Sequence, residues 1–167
     1  MPQLCIQCAK RKEDCCSSDY AKFVTLKDAE RIAKSLGIEA RQLASFSGLT
    51  ERDKETELFT KKPHKYYYDL ALNDKILQLK KNANGSCQFH SEEGLCKIYA
   101  VRPLICRIYP FWYSKNGEVI TDNNGLECEA RHTGYDKSAM NKLILQLFEE
   151  IKDYKNNVKA FVRRNGL

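Results

Sequence analysis

At 167 residues the chain is one domain by length, with enough material to bury a true core, so its eight cysteines are not compensation for being a tiny scaffold. The formal charge of +6 is spread along the chain without a dense basic block, which argues for a solvated surface rather than a nucleic-acid footprint. The opening "MPQLCIQCAKRKEDCC" has no apolar run to act as a signal peptide, and no stretch approaches the roughly 20 apolar residues of a membrane span, so the expected setting is the reducing cytosol, away from any membrane.

In chain order, the first notable segment is Cys5-x2-Cys8-x6-Cys15-Cys16. "FVTLKDAERIAKSLGI" follows as a helix. Thr25 is its N-cap, Asp28 stands three residues on in a variant of the capping box, and Leu26, Ala29, Ile32, Ala33 and Leu36 recur at helical spacing before the terminal Gly37. A second short helix is predicted over Glu39–Phe46. The polar "SGLTERDKETELFTKKPHK" reads as loop. "YYYDLALNDKILQLKK" reads as two short strands joined at Asn73-Asp74, and "KNANGS" as a turn leading into Cys87. Pro103 to Tyr109 has the makings of a short helix, and "PFWYSKNGEVITD" those of a hairpin with Asn116-Gly117 at its tip. Met140, Leu143, Ile144, Leu147, Phe148, Ile151, Tyr154, Val158, Phe161 and Val162 trace one apolar stripe along a helix from about Asp136 to Arg164, which covers the core or serves as a dimerisation element.

The expected fold is therefore α+β: a small single domain of helices, a small antiparallel sheet, cysteine-bearing loops around a metal centre and a long C-terminal amphipathic helix. Residues 1–132 form the cysteine-cluster metal-binding domain and residues 133–167 the C-terminal helix packed on it.

The cysteines carry the chemistry. Cys5, Cys8, Cys15 and Cys16 form one block, Cys87, Cys96 and Cys106 a second, and Cys128 follows in "GLECEARH". Four thiolates serve one tetrahedral zinc or one cubane iron–sulfur cluster, so eight suffice for two such sites, or for one with spares. An even cysteine count also suits a disulfide framework, but the adjacent Cys15–Cys16 pair and the missing secretion signal count against it. Neighbouring side chains diverge in extended backbone, so Cys15 and Cys16 reach one ion only through a special turn, or reach different irons of a cubane. About seventy residues separate Cys16 from Cys87, so a centre drawing on both blocks clamps the N-terminal arm onto the middle of the chain. Structural metal binding of this kind is worth of order 10 kcal/mol of folding free energy, and the apoprotein is expected to be partly unfolded at its N-terminal segment. His90 and His132, three and four residues after a cysteine, are candidate additional ligands, and His64 is a weaker one. Arg102 and Arg107 flank Cys106, where guanidinium groups would stabilise thiolate charge, and Tyr99, Tyr109, Phe111 and Trp112 offer an apolar wall or ordinary core.

The string from Cys87 through Phe89, Cys96, Ile98, Tyr99, Arg102, Pro103, Cys106, Arg107, Tyr109 and Pro110 to Phe111 resembles the YkgJ-type cysteine-cluster family, a zinc- or iron-chelating domain often described as an Fe–S oxidoreductase. The first block and the capped helix after it resemble the other half of that family, so the likeness covers roughly residues 5 to 128. In this chain "AKRKED" separates Cys8 from Cys15, where family members have a tighter cluster with a glycine before the cysteine pair. Flagellin lysine N-methylases carry a similar cluster, which brings methyl transfer into view.

Three functions follow as expectations. The first is a cysteine-ligated centre, iron–sulfur (4Fe-4S), used in electron transfer or in a small cluster-dependent enzyme. The second is a structural Zn2+ module that organises an interaction surface, and the third a methyltransferase-like activity implied by the flagellin enzymes. The chain lacks a G-x-G-x-x-G fingerprint, a phosphate-binding loop, an H-E-x-x-H helix and the C-x3-C-x2-C trio of radical-SAM enzymes, which disfavours a nucleotide-dependent oxidoreductase. Enzymatic status, oligomeric state and the identity of a redox or protein partner are left open by the sequence.

Overall fold

Thr25 begins the first helix, α1 (Leu26–Leu36), by accepting the Asp28 N–H on its hydroxyl at 2.9 Å, and Gly37 ends it in the left-handed conformation with its N–H returned to the last turn. The computed structural model describes residues 15–18, 20–49, 71–113, 119–121 and 135–167. Leu26, Ala29, Ile32 and Ala33 form the buried face of α1, as the periodicity requires. The capping box takes a different form. The Asp28 carboxylate does not return to its own N-cap; it accepts the backbone N–H of Leu104 at 3.0 Å and pairs with Arg31 at 2.6 Å.

The expected helix over Glu39–Phe46 is corrected. Helix α2 is the single turn Ala40–Leu43, in which the Gln42 side chain accepts the Glu39 N–H at 2.8 Å, and Ala44–Gly48 is strand β1. The chain leaves the helix because β2 (Lys75–Leu79) offers β1 an antiparallel ladder, with Ala44 opposite Leu79 and Gly48 opposite Lys75. Long-range pairing here overrides a weak local preference for helix. The opposite edge of β2 bonds the segment before α1: Val24 donates to the Leu77 carbonyl at 3.0 Å, and Leu79 donates to the Lys22 carbonyl at 2.9 Å. The turn at Asn73-Asp74 is present, both residues adopting positive φ as a tight hairpin turn needs, and Leu72 pairs with Lys75 across it. The first strand expected before that turn lies largely outside the described residues.

A 3-10 turn at Tyr99–Val101 leads through Pro103 into helix α3 (Leu104–Ile108). Strands β3 (Phe111–Tyr113) and β4 (Val119–Thr121) pair antiparallel as the predicted hairpin, whose Asn116-Gly117 tip lies outside the described residues. Helix α4 (Lys137–Asn165) is capped by Asp136, which accepts the N–H groups of Ser138 and Ala139, and it ends at a left-handed Gly166.

Met140, Ile144, Leu147, Ile151, Tyr154, Val158 and Phe161 of α4 share one core with α1, β2 and α3, so this helix covers the core. Two polar groups enter that core. The Tyr154 hydroxyl accepts the Leu77 N–H of β2 at 2.9 Å while its ring meets Phe23 edge-on at 5.1 Å. Glu150, buried, accepts the Thr25 hydroxyl at 2.5 Å and the Gln146 amide at 2.9 Å, joining α4 to the N-cap of α1. Both groups are partnered, as burial of polar atoms demands. Among the described residues no helix is long and apolar enough to cross a membrane.

Candidate metal centre

Cys15 and Cys16 lie in a turn rather than in extended backbone, the setting an adjacent pair needs if both are to face one centre. Ser18 closes the turn by donating its hydroxyl to the Cys15 carbonyl at 3.0 Å, and the Lys22 ammonium bonds the Ser18 carbonyl. The Cys16 carbonyl then accepts the backbone N–H of Cys87 at 2.8 Å. That bond joins Cys16 of the first cysteine block to Cys87 of the second, distant in sequence.

Cys87 is held from both sides. Before it, Asn82 and Ser86 close a turn at 2.8 Å around a positive-φ Gly85, and the Asn82 amide reaches the Cys87 carbonyl at 3.2 Å. After it, the chain folds back on itself: His90 bridges to Cys96, and Lys97 donates to the Phe89 carbonyl at 2.9 Å. Cys96 is thereby returned to the neighbourhood of Cys87. Cys106 sits on α3, whose first free N–H, that of Leu104, is taken by Asp28 of α1. Arg31 of α1 donates to the carbonyls of Val101 at 2.9 Å and Arg102 at 3.1 Å, so an Asp–Arg pair one turn apart fixes the entry to the cysteine helix.

None of the five described cysteines forms a disulfide with another of the five. Cys16 is pushed far above the ordinary thiol range, first by its hydrogen bond with Cys15, then by burial, then by the negative charge of Cys15, Cys106 and Cys87. Burial also raises Cys87, against the opposing pull of the Phe89 N–H on its sulfur and of the Lys22 charge. Cys106 is raised by burial and then by Cys15, Cys87 and Cys96, with Arg102 opposing. Sulfurs from both blocks therefore occupy one electrostatic neighbourhood. Such thiols repel one another as anions, stay protonated alone, and lose their protons together to a bound cation.

The donor set fits a soft metal: clustered sulfurs, a backbone N–H on one of them, and cationic side chains at the edge. Among the described residues, no group of three or more His, Cys, Asp or Glu side chains is already disposed to hold one ion. Cys5, Cys8 and Cys128, and with them His64 and His132, lie outside the described residues.

The flanking groups divide. Arg102 stacks over the Tyr99 ring at 4.1 Å and contributes its charge to Cys106, whereas Arg107 is exposed on α3. Phe111 is buried against Tyr135 at 4.1 Å between ring centroids and acts as core. Lys22, Asp28 and Glu150 are the residues that sequence reasoning missed as parts of this framework. Glu150 left a signal, lying three residues after Leu147 and four before Tyr154 on the apolar stripe. Lys22 left a fainter one, a lone cation in "YAKFV" just after the cysteine pair.

Compared with known proteins, residues 4–130 match the model of the CxxCxxCC family, described as a zinc- or iron-chelating domain. No curated protein and no solved structure matches the chain.

Proposed function

Because the chain belongs to the CxxCxxCC family of cysteine-cluster, zinc- or iron-chelating domains, we propose that its thiols hold an iron–sulfur cluster that serves in electron transfer. The observation that supports this reading is the 2.8 Å backbone bond from Cys87 to Cys16, which sets the two sequence blocks side by side, with Cys15, Cys96 and Cys106 all felt in the electrostatics of that neighbourhood. With Cys5, Cys8 and Cys128 the chain has more thiols than one tetrahedral zinc uses, and a cubane spreads its ligands over four irons, which suits an adjacent Cys15–Cys16 pair. When bound, such a cluster supplies reversible one-electron transfer. The chain's own contribution is to orient the sulfurs. The Cys16–Cys87 backbone bond sets the two blocks against each other, the Asp28–Leu104 bond seats the Cys106 helix, and the Phe89 N–H and the Arg102 charge favour the thiolate forms.

A structural zinc site is the second reading, favoured by the way the Cys16–Cys87 contact closes a long loop, a constraint that stabilises the fold without redox chemistry. Purification without oxygen, followed by a visible absorption spectrum and iron, sulfide and zinc analysis, separates the two. A brown protein with matched iron and sulfide and a reversible reduction is the expected result. A colourless protein with zinc alone would remove the iron–sulfur reading.

A further inference from the structure

Lys22 is 7 % exposed, and among the described residues its ammonium has no carboxylate partner. Its hydrogen-bond acceptors are the carbonyl and hydroxyl of Ser18, the hydroxyl at 3.3 Å, and both are neutral. Neutral acceptors satisfy N–H groups without compensating charge, so among the described residues nothing offsets this buried ammonium except the cysteines, and an uncompensated buried ammonium is costly. The Ser18 hydroxyl to which it bonds is the group that closes the Cys15 turn, so the ammonium sits against the loop that carries the cysteine pair. Burial pulls Lys22 below its ordinary value and Lys81 adds to that, whereas among the described residues Cys15, Cys87 and Cys16 oppose it. Its place is set by the sheet, because its carbonyl accepts the Leu79 N–H of β2 at 2.9 Å. Its side chain then ties down the turn that carries the cysteine pair.

We propose that Lys22 is the internal countercation of the thiolate centre, its buried ammonium balancing negative charge that the metal leaves on the cysteines. The inference rests on the thiolate-centre reading above. Four thiolates outweigh the positive charge of a zinc ion or of a resting cubane, so the filled site stays anionic. In a water-poor surround a fixed cation offsets that charge far more effectively than one at the surface. Arg102, half-exposed and stacked on Tyr99, is less buried than Lys22 and weaker in this respect. Lys22 thus does two things at once: it positions the Cys15–Ser18 turn through hydrogen bonds and stabilises the loaded site through charge.

The two roles separate on substitution. Lys22→Gln and Lys22→Met remove the charge, the first retaining an amide donor for the Ser18 carbonyl and the second retaining the apolar stem. Lys22→Arg keeps the charge. The test loads each full-length variant with zinc ions, confirms folding by circular dichroism, and measures zinc affinity by competition with a chromophoric chelator. Both charge-free variants are expected to hold zinc about 10–100-fold more weakly than the unaltered protein, with Lys22→Arg within about threefold of it. Added salt should not reproduce the loss, since a buried pair is poorly screened. A buried ammonium replaced by methionine is well tolerated as a rule, so Lys22→Met decides the matter if Lys22→Gln does not fold. Unchanged affinity in a folded charge-free variant overturns the proposal. Equal weakening in all three variants overturns it as well, because packing rather than charge would then be responsible. Failure of the unaltered protein to hold either zinc or an iron–sulfur cluster through its thiols would instead sink the thiolate-centre reading, and the role of Lys22 with it.

Discussion

Replacing Asp28 separates the two parts of its role, because its carboxylate both caps the cysteine helix and carries a buried charge. The side chain is 2 % exposed, accepts the Leu104 N–H at 3.0 Å and pairs with Arg31 at 2.6 Å. Asp28→Ala leaves a buried N–H without an acceptor and frees Arg31 from its anchor. A hydrogen bond to a charged group contributes about 1.5–3 kcal/mol, and orphaning a buried donor costs a similar amount. With part of that returned by relief of desolvation, the net loss is about 2–3 kcal/mol, or roughly 4–12 °C in Tm for a domain of this size. Asp28→Asn keeps an acceptor for Leu104 and removes the charge, so its loss at neutral pH is about 1 kcal/mol or less. The two variants also differ with pH. Burial raises the Asp28 carboxyl above its ordinary value, outweighing the opposing bonds from Arg31 and Leu104. The folded state therefore holds this proton more tightly than the unfolded chain does. Relative to Asp28→Asn, the unaltered protein gains stability as pH falls below the raised folded value toward the ordinary carboxyl range. It loses that advantage as pH rises back through the folded value. Urea unfolding followed by circular dichroism at several pH values measures all of this. An alanine variant as stable as the unaltered protein, an asparagine variant as damaged as the alanine one, or a pH trend of opposite sign would refute the reasoning.

Tyr154→Phe preserves the core volume but strands the Leu77 N–H, so unfolding free energy should fall by about 1–3 kcal/mol and amide exchange at Leu77 should quicken. Leu147→Ala opens a cavity beneath α4, where Leu147 is fully buried, and should cost about 2–5 kcal/mol by the same urea measurement. Stripping the metal with a chelator under reducing conditions should lower the denaturation midpoint. It should also speed alkylation of Cys87, the buried one among the five described cysteines, because bound metal is folding free energy.

The elements that sequence predicts best are those whose signals are local. α1 and α4 carry their caps, Thr25 with Gly37 and Asp136 with Gly166, beside strong 3.6-residue periodicity, and the structure keeps both. The Asn73-Asp74 turn and the β3–β4 pairing were legible for the same reason. β1 was not. "ASFSG" has little strand character of its own and becomes a strand only because β2 lies alongside it. The capping-box reading of Asp28 failed in a related way, since its acceptor role is toward Leu104, a residue far along the chain. For the candidate centre, spacing puts the cysteines forward as ligands but says nothing of the contacts that bring the described ones together. The Cys16–Cys87 backbone bond, the Lys22 ammonium behind the Cys15–Ser18 turn and the Arg31 contacts to the 101–102 carbonyls are all tertiary. No window of sequence contains both partners of the longest of these.

The central claim is that the two cysteine blocks serve one metal centre, and the most direct measurement of it is the metal content of single Cys16→Ser, Cys87→Ser and Cys106→Ser variants beside the unaltered protein, purified without oxygen. One shared centre predicts that loss of a thiol from either block lowers iron, sulfide or zinc per chain at the same site, with one altered spectrum common to all three variants. Separate centres would show as a partial loss confined to the altered block, with the other block's metal retained in full, and that result would contradict the account.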